Sequence, residues 1–138
     1  MSITKRIRLV IDANVLFSYA RNGKLYRLLD AIVIYRLDVI INTQLLHEFY
    51  KVCHKPQALK TTSPPDTLLN FITSITNIVY ITHTYMLCPD PDDNYLIDIC
   101  LQYNAILITD EKALLNWKKP PIKIKSTKWF KETFPVPL

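Results

Sequence analysis

The chain has 138 residues, an ordinary size for one domain, and its 49% apolar and 21% charged content suits a packed core rather than disorder. Its one glycine, Gly23, excludes a Walker A loop and a dinucleotide-binding fingerprint, because both need several glycines for close approach of backbone to phosphate. Cys53, Cys88 and Cys100 lack C-x-x-C spacing, and His47, His54 and His83 lack metal-ligand spacing. A disulfide framework and a zinc site are therefore not expected, and a reducing, cytoplasmic setting is.

Residues 1–8 are basic but lack the long apolar stretch of a signal peptide. Residues 7–11 read as a short β-branched strand that runs into Asp12. Residues 13–20 resume an apolar pattern compatible with a helical turn, which Gly23 breaks. Leu25, Leu28, Leu29, Ile32 and Val33 set a helix over 24–36, and 38–41 form a second strand. The longest apolar stretch, 28–41, is interrupted by Asp30, Arg36 and Asp38, so no membrane span is expected. Asn42 or Thr43 caps the next helix, which runs to about His54 before Pro56. Residues 59–66 read as a loop and 66–74 as a helix with Leu68, Leu69, Phe71 and Ile72 inward.

A third strand, near an edge, is expected at 78–81. Asp92 or Asp93 opens a helix through about Tyr103, on which Asp98 reads as an ordinary polar-face residue. A fourth strand covers 105–109 and ends against Asp110 and Glu111. A short helix over 112–117 stops at Pro120-Pro121. Residues 122–125 alternate as an edge strand whose lysines discourage aggregation. Ser126 or Thr127 caps a last helical turn carrying Trp129, Phe130 and Phe134. Strands alternating with helices imply an α/β protein. The expected architecture is a three-layer α/β/α sandwich around a mostly parallel sheet of four to five strands, formed by 1–138 as a single domain.

Acids are scarce, 12 Asp and Glu against 17 Lys and Arg, yet they gather where buried strands end. In an open parallel sheet those ends form the ligand crevice. Carboxylates meeting there repel unless a cation holds them, and a hard divalent ion such as Mg²⁺ or Mn²⁺ prefers oxygen ligands. Asp12 follows the first strand, with Asn14 near enough to hydrogen-bond it or the next carboxylate; capping the following helix is its alternative role. Glu48 lies at the margin of a helical stripe of Leu45, Leu46, Phe49 and Val52. From there it reaches inward or pairs with Lys51 or Lys55. Asp90, Asp92 and Asp93 cluster at a helix start. One of them serves as a cap, but all three together need a counter-charge. Asp93, with an apolar face running on from it, lies nearest the sheet. Asp110 and Glu111 follow the fourth strand, and the sequence leaves open which of them faces the crevice.

The residual charge is +5, and from Lys112 to Lys131 there are seven lysines and no acid. Lys118, Lys119, Lys123, Lys125 and Lys128 suit phosphate contacts beside an acidic metal crevice, or a merely solvated face. Trp117, Trp129 and Phe130 interleave with them, as base-stacking platforms or as packing for the last elements.

Val10-Ile11-Asp12-Ala13-Asn14-Val15-Leu16, Leu45-Leu46-His47-Glu48, Asp90-Pro91-Asp92-Asp93-Asn94-Tyr95-Leu96 and Ile106-Leu107-Ile108-Thr109-Asp110-Glu111 follow one another in an order that resembles the PIN domain. The likeness is to the branch of toxin components related to the VapC ribonucleases, and it covers 7 to about 134. It implies that Asp12, Glu48, Asp93 and an acid after Thr109 form the catalytic set. Strict register of the family's T-x-D step gives Glu111, while Asp110 is the aspartate present. The resemblance further implies Mg²⁺ or Mn²⁺ as cofactor, held by Asp12, Asp93 and Asp110 or Glu111 with Asn14, Asp90 and Asp92 close by. It implies RNA as substrate, phosphodiester hydrolysis as reaction, a cognate antitoxin as partner and a homodimer as assembly. Two other readings stay open: an RNA- or partner-binding module without catalysis, and a Mg²⁺-dependent phosphotransfer domain. The Asp12-Ala13-Asn14 step fits the phosphotransfer domain less well.

Overall fold

In the computed structural model, which describes residues 6–55 and 63–137, five strands form one sheet. They are β1 (Arg8–Ile11), β2 (Asp38–Ile41), β3 (Asn77–Ile78), β4 (Ile106–Ile108) and β5 (Ile124–Lys125), and the spatial order is β3-β2-β1-β4-β5. Every pairing is parallel. The central strand explains why. Leu9, Val10 and Ile11 are at most 1% exposed, so both faces of β1 need cover, as parallel sheets require.

Helices supply that cover. α1 (Ala13–Arg21) and α2 (Leu25–Tyr35) link β1 to β2; α3 (Thr43–Cys53) and α4 (Pro65–Ile75) link β2 to β3. α5 (Asn94–Tyr103) precedes β4, α6 (Lys112–Leu115) joins β4 to β5, and α7 (Thr127–Thr133) follows. Right-handed crossovers put the helices that lead outward from β1 to β3 on one face and α5 on the other. The three-layer α/β/α expectation is met, with a sheet that is wholly parallel.

Local chemistry sets the helix starts. Asn42 Oδ1 accepts the Leu45 N–H at 2.9 Å, so Asn42 rather than Thr43 caps α3. Ser126 Oγ accepts the Trp129 N–H at 3.1 Å and caps α7. Asn42 is itself buried, so replacing it by Ala leaves a helical N–H without water to replace the bond. We expect Asn42→Ala to cost about 1 kcal/mol. Urea unfolding of the two proteins measures this, and an unchanged midpoint would mean that the cap contributes nothing to stability.

Three expectations need correction. The third strand is shorter than 78–81 and begins one residue earlier, because side chains of α5 take over the next backbone groups. Gln102 Nε2 and Tyr103 Oη both donate to the Tyr80 carbonyl, and Gln102 Oε1 accepts the Thr82 N–H. The helix at Asp92 or Asp93 starts as a single 3₁₀ turn over Pro91–Asp93, and α5 proper begins at Asn94. Asp98 is no polar-face residue. It is 3% exposed, since α5 runs between sheet and loop and buries every residue from Tyr95 to Cys100. Its Oδ1 accepts the Tyr85 N–H at 2.9 Å. Of the loop expected at 59–66, residues 59–62 lie outside the described residues.

Strand register aligns the two central strands at their ends. Ile11 pairs with Ile108, and the Asp12 N–H donates to the Ile108 carbonyl at 2.9 Å. The residues just after β1 and β4 are thereby brought side by side at the carboxyl end of the sheet.

Candidate metal centre

A cavity of about 910 Å³ opens at that end, with Asp12, Glu48, Asp93, Asp98 and Glu111 in its wall. Asp12 ends β1 and is 8% exposed. It occupies the cap position of α1, yet its side chain makes no capping bond. Instead Oδ2 accepts the Thr109 hydroxyl at 2.8 Å, a contact between the ends of the two central strands. Burial holds the Asp12 carboxyl above the usual range; the Thr109 bond opposes the shift, and the charge of Glu111 adds to it.

Asp93 reaches the cavity from the 3₁₀ turn. Asp90 shapes that turn by accepting the Asp92 N–H on Oδ1 at 3.0 Å, and Pro91 sits at its first position. Carboxylate oxygens of Asp90, Asp93 and Glu111 all lie within 4.8 Å of one another. Like charges that close raise each other's proton affinity. The Asp93 carboxyl is pushed up to about 7, by burial first, then by a hydrogen bond to Glu111 and by the charges of Glu111, Asp90 and Asp12. Its Oδ2 is buried and has no hydrogen-bond partner among the described residues. An oxygen left so among acids is under-satisfied as a carboxylate and suited to a cation. The donor set, all oxygen with no thiolate or imidazole, fits a hard ion such as Mg²⁺ or Mn²⁺.

The remaining expected residues divide. Glu48 lines the cavity and also meets the Lys51 ammonium at 3.6 Å, so inward reach and helical pairing coexist. Asn14 and Asp92 lie in the cavity wall. Asp110 shares a smaller concavity with Asp12, Asn14 and Glu111, while its Oδ1 accepts the Thr127 N–H at 2.9 Å and its Oδ2 the Thr127 hydroxyl at 2.7 Å, at the start of α7. Glu111, with its N–H on Thr109 Oγ1 at 3.1 Å, joins the acid group. Lys118, Lys119, Lys123, Lys125 and Lys128 do not line this cavity; Lys51 does. Lys125 lies over the Trp129 ring at 5.7 Å. The three cysteines are free and buried, and burial pushes the Cys53 thiol up to about 11, which leaves it a poor nucleophile.

Sequence reasoning missed Asp98 and Asn94. Asn94 Oδ1 accepts the Cys88 N–H at 2.9 Å, and with Asp98 it ties the 79–88 segment to α5 along the cavity wall. The signal for Asp98 was present: an acid enclosed by Leu96-Ile97 and Ile99-Cys100 stands on a helix apolar all round, and such helices are buried.

The raised Asp93 carboxyl gives a pH prediction. Its proton affinity is higher folded than unfolded, where an aspartate titrates near ~3.9. Between about pH 4 and pH 7 the folded protein therefore binds more protons, and its stability falls as pH rises across that window. Metal-free protein in EDTA is expected to unfold at a higher temperature at pH 5 than at pH 7.5. A divalent ion competes with that proton, so its affinity should strengthen as pH rises through about 7. Calorimetry at several pH values checks both; a flat metal-free profile counts against a crowded acid group around Asp93.

The fold and this site define an α/β protein with an acidic cavity at the carboxyl ends of its two central strands. A family model for the PIN domain matches residues 8–113, and the chain belongs to that family, whose members are generally nucleases. It is 28% identical over 116 residues to the uncharacterized protein MJ1680 of Methanocaldococcus jannaschii, covering 80% of this chain and 75% of that protein. It is similar in fold to VapBC2 from Rickettsia felis, a structure bound to a DNA fragment from the VapBC2 promoter. The TM-score is 0.61 at 16% identity, over 87% of this chain and 98% of that one. PAE2754 from Pyrobaculum aerophilum gives a TM-score of 0.60 at 13% identity, over 93% and 89% of the two chains. At these identities the two structures speak for the fold alone. Among the described residues no helix is long and apolar enough to cross a membrane.

Proposed function

We propose that this PIN domain is a metal-dependent endoribonuclease that hydrolyses RNA phosphodiester bonds, with Mg²⁺ or Mn²⁺ as its cofactor. The observation that carries the reading is the buried, unpartnered Oδ2 of Asp93 inside a group of acids with ligand spacing. Asp90, Asp93 and Glu111 would hold the ion, with Asp12 as a further oxygen donor. A bound divalent ion supplies Lewis acidity toward phosphate oxygens and lowers the pKa of water. The Thr109 hydroxyl fixes the Asp12 carboxylate, so that its orientation survives the arrival of substrate. Glu48, tethered to Lys51, completes the acidic lining or orients the attacking water. Lys51 is the cation in the cavity wall that meets a substrate phosphate.

The chain acts in this reading as a single domain over 1–138, in the cytoplasm, as the toxin of a toxin–antitoxin pair. A cognate antitoxin covers its cavity, and two copies form a homodimer. The VapBC2 structure, a toxin–antitoxin assembly of the same fold, supports the choice of partner.

The test is cleavage of an end-labelled single-stranded RNA. Product should form with Mg²⁺ or Mn²⁺, stop in EDTA and return when metal is restored. Asp12→Asn should slow it by roughly 10²–10³, the loss typical of a pre-organised electrostatic group. RNA bound without metal-dependent product would overturn the proposal.

A further inference from the structure

A second cavity, of about 240 Å³, lies between α1, α2 and α7. Three cations stand in its wall, Lys24, Arg27 and Lys131, with Tyr19 and Thr127 between them. Among the described residues none of the three cations has an acid within salt-bridge distance; the ion pairs there are Arg8 with Asp38 and Lys51 with Glu48. Asp110, whose charge is felt at Tyr19, has both carboxylate oxygens on Thr127. At the end of α1 the carbonyls of Ser18, Tyr19 and Ala20 accept the N–H groups of Asn22, Lys24 and Gly23.

Tyr19 is the independent observation. The residue is 7% exposed, and its hydroxyl, which bonds to none of the described residues, is open to solvent at the cavity rather than buried. The Lys131 ammonium rides 5.6 Å from the centre of its ring. Arg27 of α2 and Thr127 of α7 line the cavity with Tyr19. The C-terminal segment closes one side, where the Tyr35 hydroxyl donates to the Pro135 carbonyl and Tyr35 packs edge-on against Phe134.

We propose that this cavity is a phosphate-binding site, in which Lys24, Arg27 and Lys131 hold the anionic oxygens and the Tyr19 hydroxyl donates the directional hydrogen bond. Compact charge from the lysines and the planar fork of the arginine together suit a phosphate better than a lone carboxylate. Two sources of the phosphate share the chemistry: the backbone of an RNA strand, which rests on the nuclease reading, and a free phosphorylated small molecule, which does not.

Binding to metal-free protein in EDTA separates them, measured with inorganic phosphate by calorimetry and with a labelled single-stranded RNA by anisotropy. Tyr19→Phe keeps the ring and its packing and should weaken binding roughly tenfold, the loss of one charge-assisted hydrogen bond. Arg27→Ala with Lys131→Ala should weaken it further and make the salt dependence of RNA binding shallower by about 0.7, one phosphate contact on a single strand. Weaker RNA binding with no uptake of inorganic phosphate assigns the site to the nucleic-acid backbone. Phosphate uptake lost in the variants, with RNA unaffected, assigns it to a small ligand. Unchanged binding of both probes in variants that keep the wild-type unfolding midpoint overturns the proposal. Because no metal is present, failure of cleavage in a separate assay would sink the nuclease reading and leave this result standing.

Discussion

Replacing Asp93 by Asn is expected to lower metal-dependent cleavage roughly a thousandfold while raising the unfolding temperature of the metal-free protein. The two effects have one cause. Asp93 brings a charge into a group where Asp90, Glu111 and Asp12 already raise its proton affinity, and its Oδ2 is buried without a partner among the described residues. In the absence of metal that charge opposes folding above about pH 7, where Asp93 has lost its proton. Asparagine removes it at nearly the same volume and can donate to a neighbouring carboxylate. The same substitution removes an anionic ligand and so weakens the hold on a divalent ion. Thermal unfolding in EDTA, metal binding by calorimetry and RNA cleavage are the three measurements. A drop in both stability and activity would mean that Asp93 serves packing, and that the acids were never arranged for a cation.

Glu111→Gln and Asp110→Asn, adjacent in sequence, should differ sharply. Glu111 shares ligand spacing with Asp90 and Asp93, so neutralising it should reduce cleavage by roughly 10²–10³. Asp110 binds the backbone and hydroxyl of Thr127, so its loss should act on the docking of α7. Hydrogen bonds from neutral donors to a charged acceptor are worth about 1.5–3 kcal/mol. Because Asp110 is exposed, the cost in stability belongs at or below the lower end of that range, with cleavage within a few-fold of wild type. Urea midpoints and initial rates on the two variants decide. Equal loss of rate in both would put Asp110 at the metal and contradict the geometry.

The acid group was legible in outline because each member sits at a punctuation mark of the chain. Asp12 ends a strand, Asp90 and Asp93 begin a helix and Glu111 follows a strand, and periodicity locates such boundaries. The pairing of Asp110 with Thr127 was not legible, because it depends on where α7 returns after β5, 17 residues later. The Glu48–Lys51 contact is local, three residues apart on α3, and local spacing is enough to suggest it. The long-range fact that Glu48 also faces Asp12 and Asp93 across the cavity was not fixed by it. Asp98 was misjudged because its burial comes from the 79–88 segment lying against α5, a contact across 13 residues at Tyr85 that no periodicity encodes.

The sequence by itself determined the order of strands and helices, the parallel sheet and the acids at its carboxyl end, since alternation, capping and apolar runs act within a few residues. Tertiary structure alone decided that Glu111 stands with Asp90 and Asp93 while Asp110 bonds Thr127, that Asp93 Oδ2 is left without a partner among the described residues, and that Lys24, Arg27 and Lys131 line one cavity with Tyr19. Those outcomes rest on side-chain directions between elements far apart in the chain, where a turn of one residue moves a carboxylate from one neighbour to another.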